Sequence, residues 1–471
     1  MGCRRGKVVR VSQIDFRENQ SGAPLRRILG TSFGLAICIG GAVGVGILRT
    51  PGTIAGQISF VRLALILWAA GGLYALAGAN TLAELATALP EVGGGYVYTK
   101  RAYGDFLGFS GGLNDFVLSC CGAAYSSIAA SEIAGTLIPA LSTRVNLGAL
   151  IILAIVAAIN WIGLRAGELS QKLISFAKVA GLLMLAAGCF WIGAGQSYHA
   201  PDLFASATHK PLGAAAIALT FAAIMETYAG WNSPVYFSEE NKNPTRTIPR
   251  GLFLGVAAIA VVYVLVNAGL FYALPVETLA QSKLPAADAA TLMLGATGGR
   301  AIAVLALLAI VGIINAQILY VPRVLFAMSR DGFLPATLMK LNRGGTPNIA
   351  LALTALVIGA FAVSGSFEAL LAIAAFLGIA GDTVIYVSLF VLRRREPALP
   401  RPFRARLYPI VPGLVVLGGI ALLTLYVVGN PLNSLASLAI LASFYPLFLI
   451  SRKMRRVMAD SDNITFTPPD F

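Results

Sequence analysis

The sequence predicts an all-α polytopic membrane protein: twelve transmembrane helices, ten of them forming a 5+5 inverted repeat. Three observations carry that expectation. Hydrophobic residues make up 57% of the 471-residue chain and charged residues only 12%, against about 25% charged in soluble domains; the mean hydropathy is +0.78. Apolar runs recur along the whole chain, each long enough to cross a hydrocarbon core of about 30 Å. Two of those runs are interrupted by glycines at corresponding places in the two halves.

The runs place spans near 31–55, 61–89, 106–135, 146–164, 170–192, 212–238, 250–274, 300–328, 346–364, 367–392, 408–428 and 432–451. The first lacks a small-residue cleavage site, so it reads as a retained helix rather than a signal peptide. Met1-Gly2-Cys3 hints at acylation, but Gly6 stands where the pattern wants Ser or Thr. No separate soluble domain fits. The expected layout is a tail over 1–28, a core over 29–392, two accessory helices over 393–452 and a tail over 453–471. The core's repeats cover about 29–192 and 212–392.

The net charge of +14 is not a nucleic-acid signal, because the basic residues collect in alternate loops. With both termini in the cytoplasm, the inner side holds roughly 28 of the 35 Lys and Arg, as the positive-inside bias of a multi-pass protein of the cell membrane requires. The inner loops then contain Lys100 and Arg101, Arg165 and Lys172, Lys242 to Arg250, Arg323 to Arg343 and Arg393 to Arg406. Five cysteines show no metal-ligand spacing, and Cys38, Cys120, Cys121 and Cys189 fall inside apolar segments. His199 and His209 share one outer loop and read as solvated. Neither a metal nor a cofactor is expected, and no phosphate-binding loop or paired nucleophile and base is present, which argues against an ATP-driven pump or an enzyme.

The breaks are the informative feature. Span one contains Gly40-Gly41-Ala42-Val43-Gly44-Val45-Gly46-Ile47, closed by Pro51-Gly52, and span six contains Glu226-Thr227-Tyr228-Ala229-Gly230-Trp231-Asn232. A spanning helix satisfies its backbone internally, so a mid-membrane break is tolerated only where it is buried in protein or lines a wet cavity. Paired breaks point to the binding site of a carrier. Five spans separate their starting points. That odd offset turns the second unit upside down and makes spans 1–5 and 6–10 an inverted pair.

Four stretches resemble the amino acid–polyamine–organocation superfamily, and within it the bacterial amino acid permeases. They are Val43-Gly44-Val45-Gly46-Ile47 with Pro51-Gly52; Ala83-Glu84-Leu85-Ala86 with Pro90, Gly93-Gly94-Gly95-Tyr96-Val97-Tyr98, Arg101 and Tyr103-Gly104; Tyr228-Ala229-Gly230-Trp231-Asn232 with Glu239-Glu240, Asn243-Pro244 and Ile248-Pro249-Arg250; and Arg323-Val324-Leu325-Phe326-Ala327-Met328-Ser329-Arg330-Asp331-Gly332-Phe333-Leu334-Pro335. The resemblance covers about residues 30 to 405. It implies a leucine-transporter-type fold, alternating access, and a substrate held between the unwound parts of spans one and six.

A zwitterionic amino acid needs donors for its carboxylate and acceptors for its ammonium. The amides of Gly44, Val45 and Gly46 lie at the N-terminus of the second half-helix, where orphan N–H groups and the dipole favour an anion. Carbonyls freed near Ile39 and Gly40, and near Thr227, Tyr228 and Gly230, suit the ammonium. The chain departs from the superfamily pattern at Val45, usually Ser, and at Glu226, usually an aromatic or small residue. A mid-membrane carboxylate is a functional-site hypothesis by default. Three uses compete for Glu226: contact with a cationic group of the substrate, carriage of a coupling proton, or pairing with Lys178.

The resemblance places Lys178 where sodium-coupled relatives bind a sodium ion, so its ammonium would replace that ion; it could also exchange a proton during transport. Asp115 and Asp382 are similarly deep, each a candidate proton site or structural partner. Tyr228 offers a ring face to the substrate and a hydroxyl to the break. Glu84, Trp231, Asn232, Arg323, Arg330 and Asp331 read as gating or structural residues. The leading expectation is a sodium-independent secondary transporter of amino acids, by proton symport or exchange, in the lipid bilayer as a monomer or homodimer. A polyamine or organic-cation carrier, a channel and a transport-inactive sensor are the alternatives.

Overall fold

The computed structural model describes residues 25–44, 46–58, 60–195, 214–282 and 284–464. Val45, His199, His209, Cys3 and both chain ends therefore lie outside the described residues. The helices are α1 (Thr31–Ala42), α2 (Gly46–Gln57), α3 (Val61–Ala88), α4 (Gly95–Tyr103), α5 (Asp105–Leu137), α6 (Pro139–Ser142), α7 (Val145–Ile162), α8 (Leu164–Gly195), α9 (Ala214–Tyr228), α10 (Pro244–Ala273), α11 (Val276–Gln281), α12 (Pro285–Leu294), α13 (Ala296–Arg330), α14 (Asn348–Ser364), α15 (Phe367–Arg395), α16 (Ile410–Gly429) and α17 (Pro431–Ile464). Two 3-10 helices, Ser233–Glu240 and Ala336–Met339, complete the set. No β-strand occurs among the described residues.

Nine of these helices are long and apolar enough to cross a membrane, and the pair α1–α2, bent by 45°, makes a tenth among the described residues. The chain is a multi-pass membrane protein. Local chemistry sets many of the helix limits. Proline occupies the first helical turn of α6, α10 and α12, where the missing N–H is an orphan anyway. Ser366 Oγ accepts from Ala369 N at the start of α15. Gly163 alone joins α7 to α8. Its φ of +150° and a backbone approach to Gly344, 2.7 Å from where a Cβ would sit, leave no room for a side chain.

The interior is built by α13 against α5, α8 and α1, and by α10 against α3, α1 and α8. Small residues permit the closest of these approaches: Gly34 of α1 and Gly251 of α10 meet backbone to backbone. The last two helices rest on α15, with α3 also beneath α16 and α5 equally beneath α17, and leave Leu414, Leu417, Leu432, Leu435 and Ile450 exposed. In a bilayer such a face meets acyl chains, so its exposure costs nothing.

The structure corrects several boundaries. Lys100 and Arg101 lie in the short helix α4, not in a loop, and Arg165 and Lys172 lie within α8. The one-residue turn at Gly163 lets the polar end of span five extend as helix, where Lys172 pairs with Glu168 at 2.5 Å one turn away. After its break, span six continues as a 3-10 helix rather than an α-helix. Helix α17 continues to Ile464, past the point where a tail was expected.

Candidate functional site

In span one, α1 ends at Ala42, and Val43 N donates to Ile39 O at 2.8 Å. Val43 is extended, with φ −74° and ψ 102°, and α2 begins at Gly46. The carbonyls released here do not stand free. Lys178 of α8, fully buried, donates from Nζ to Gly40 O at 3.0 Å and to Val43 O at 2.6 Å. Its Nζ also lies against Gly312 of α13. Lys178 thus holds three elements together and does not pair with Glu226, which removes the third of the uses weighed for that residue. The carbonyls expected to be freed near Ile39 and Gly40 already accept bonds, the first from Val43 N and the second from the Lys178 ammonium.

In span six, α9 ends at Tyr228, and residues 229–232 form a turn. Gly230 has φ +94°, a conformation that L side chains rarely adopt. The two breaks touch: a Cβ on Gly230 would lie 2.4 Å from Gly41 O, and one on Gly41 would lie 2.5 Å from Gly230 O. The Tyr263 hydroxyl of α10 sits between them, 3.1 Å from Ala42 O and 3.0 Å from Thr227 O. One hydroxyl proton serves one carbonyl at a time, so Tyr263 bridges the breaks. Thr227 faces α2, its hydroxyl 3.0 Å from that of Thr50 and its methyl 3.1 Å from where a Gly46 Cβ would sit.

Tyr228 differs from expectation. Its hydroxyl donates to Trp68 O at 3.0 Å, and its ring packs against Trp68 and Tyr263. It supports the break from behind and faces no open space. Gly44 is likewise buried, with Ile313 Cδ1 2.4 Å from the Cβ it lacks.

Open space lies on the other face. Helix α9 packs on α2 and α3 and only lightly on α16. Glu226 and Ala229 are exposed although they lie deep in the helix bundle, and Gly41, Gly230, Tyr125, Ile313, Gln317, Tyr320 and Asp382 are half-buried. These residues keep accessible surface while most of their neighbours in sequence are buried, which makes the space beside the two breaks the candidate hollow. A polar chain forms its floor. Asn232 Nδ2 donates to Asp382 Oδ1 at 3.3 Å, and Tyr236 donates to Asp115 Oδ2 at 3.2 Å. Tyr236 stacks on Tyr320 with ring centroids 4.5 Å apart, and Tyr320 shares a hydrogen bond with Ser119. Trp231 is buried beneath Gly78 and close to Tyr386.

The amino acid permease family model matches residues 29–450. The chain belongs to the amino acid permease family. Among its relatives, the serine/threonine exchanger SteT of Bacillus subtilis (strain 168) is 27% identical over 442 residues, covering 92% of this chain and 98% of that protein. The human large neutral amino acids transporter small subunit 2 is 26% identical over 402 residues, covering 83% and 74%. The cystine/glutamate transporter of Pongo abelii is 26% identical over 470 residues, covering 95% and 90%.

At the end bearing the basic stretches, ion pairs join the helices of the permease. Arg323 of α13 donates to both carboxylate oxygens of Glu240 at 2.6 and 3.0 Å, donates to Leu319 O, and lies over the Phe237 ring. Arg330 reaches Glu239 at 2.8 Å and Glu91 at 3.7 Å; Asp331 takes Lys100 at 2.7 Å and the Tyr96 hydroxyl at 2.6 Å. Glu84 accepts from Arg393 and the Ala405 amide and pairs with Arg401 at 3.2 Å, which ties the stretch after α15 to α3. Outside the spans, the two-point bond from Glu396 holds the Arg101 guanidinium above its ordinary value. Sequence reasoning missed Tyr263 and the floor residues Tyr236 and Tyr320. A tyrosine on an apolar span carries no local mark of the carbonyl it meets across the fold.

Proposed function

We propose that the permease is a secondary transporter that moves amino acids across the cell membrane by alternating access. The chain is read as twelve spans: α1–α2, α3, α5, α7, α8, α9 with its 3-10 continuation, α10, α13, α14, α15, and the accessory α16 and α17. The first ten form the inverted repeat, and both termini face the cytoplasm. The observation that carries the reading is the meeting of the two breaks, Gly41 against Gly230, beside the hollow into which Glu226 is exposed. The amides of Gly44, Val45 and Gly46, at the start of α2, are assigned to the substrate carboxylate. The ion pairs around Arg323, Arg330 and Asp331 act as the inner gate.

Lys178 supports sodium independence. Its ammonium already occupies the carbonyls of Gly40 and Val43, oxygens of the kind a sodium ion would need. Exchange is the favoured mode, supported by the serine/threonine exchanger among the relatives; proton symport is the second reading, supported by three membrane-embedded carboxylates, Asp115, Glu226 and Asp382. Counterflow in proteoliposomes tests the proposal. Internal amino acid should drive uptake of labelled amino acid without sodium, and a Gly46→Leu variant should stay folded and lose binding. Full affinity in folded Gly46→Leu would reject the carboxylate assignment. Uptake that requires sodium would reject the role of Lys178.

A further inference from the structure

We propose that the solute is an amino acid whose side chain carries its own positive charge, a guanidinium or a second ammonium, and that Glu226 holds that charge. This rests on the reading that the hollow beside the two breaks is the binding site. Glu226 occupies the last turn of α9, two residues before its end at Tyr228. A helix C-terminus already carries partial negative charge, so a carboxylate there has no dipole to relieve it and calls for a cation.

The described residues supply none. No ion pair among the described residues involves Asp115, Glu226 or Asp382. Lys178, the cation nearest the first break, is spent on Gly40 and Val43. Two side-chain oxygens nearby also lack a partner. Asn114, 5% exposed and next to Asp115, keeps Oδ1 without a partner, and Gln317 Oε1 is likewise unpartnered. The hollow thus holds carboxylates with no cation paired to them among the described residues.

A neutral zwitterion brings no net charge to offset this, and its own carboxylate is repelled. A side-chain cation supplies one positive charge and several N–H donors. Tyr125, within electrostatic reach of Glu226, and the stacked pair Tyr236–Tyr320 add aromatic faces suited to a cation. The α2 amides keep the requirement for an α-carboxylate, which separates these solutes from polyamines.

The test is thermal shift and counterflow with the purified full-length protein and a panel of arginine, lysine, ornithine, serine, leucine, glutamate and spermidine. Arginine, lysine and ornithine should bind most tightly. Glu226→Gln should lower arginine affinity by about 10- to 100-fold, the loss of one charge-assisted bond. Glu226→Asp, which keeps the charge, should retain the preference for arginine over serine and so shows that the loss in Gln is electrostatic. If serine or leucine binds well and arginine does not, the substrate class is overturned while the transport reading stands. Tighter binding of spermidine than of arginine would overturn it in favour of a polyamine. If no amino acid on the panel stabilises or exchanges, both readings fall together.

Discussion

Replacing Glu240 by Gln removes the charge from a pair in which Arg323 is 2% exposed and Glu240 is fully buried. The guanidinium keeps its bond to Leu319 O and its place over Phe237, but it loses its only carboxylate and remains out of water. Leaving one member of a buried pair uncompensated costs about 3–5 kcal/mol; the Gln oxygen still accepts one bond, so the lower end is expected. Removing both charges, as in Arg323→Met with Glu240→Leu, should recover most of that loss, because the desolvation of two ions is relieved along with their attraction. Unfolding can be followed with a thiol-reactive dye, since Cys38, Cys120, Cys121 and Cys189 are all buried. Apparent midpoints should be compared at one scan rate, because large membrane proteins unfold irreversibly. Glu240→Gln should melt several degrees below the wild type, with the double variant between them or above. A single variant that melts with the wild type would show that the pair does not hold this end closed.

Gly230→Ala should destabilise the protein by at least about 1–2 kcal/mol, the cost of a positive φ in an L-residue, and should abolish substrate binding by driving the breaks apart; a folded variant with normal affinity would refute their contact. Tyr263→Phe leaves the carbonyls of Ala42 and Thr227 without a shared donor. It should cost about 0.5–1.5 kcal/mol of stability and weaken binding in a thermal-shift titration, and unchanged binding would show that Tyr263 does not set the breaks. Arg330→Gln breaks a half-exposed pair and should change stability by less than about 1 kcal/mol while altering the counterflow rate. An unaltered rate would remove Arg330 from the gate.

Much of the architecture was legible in the chain because its signals are local. Hydropathy along consecutive residues marked the spans, and two glycine clusters marked both breaks, with Gly40, Gly44 and Gly46 in one and Gly230 in the other. Arg330 and Asp331 stood out as gating or structural residues, and each forms an ion pair. The partners themselves were less legible. Glu226 and Lys178 are both ionisable and both deep, so their pairing was a fair expectation. It failed because Lys178 rises from α8 against α1, while Glu226 turns into the space on the other side of α9. Tyr228 was misjudged for the same reason: a helical residue's neighbours depend on which way its helix is rotated, and an apolar span records that rotation weakly.

By itself, the sequence determined a multi-pass helical membrane protein of the permease family, interrupted twice in mid-membrane. Those properties follow from the apolar content of each segment and from residues that cannot continue a helix, neither of which needs a neighbour. Only the tertiary structure decided that the carbonyls of the first break are satisfied by Lys178 and Tyr263, that the second break is braced by Tyr228 on Trp68, and that Glu226 is exposed with no ion pair among the described residues. Bonds between residues more than a hundred positions apart depend on how helices pack and turn, and one carbonyl in an apolar run is indistinguishable in sequence from the next.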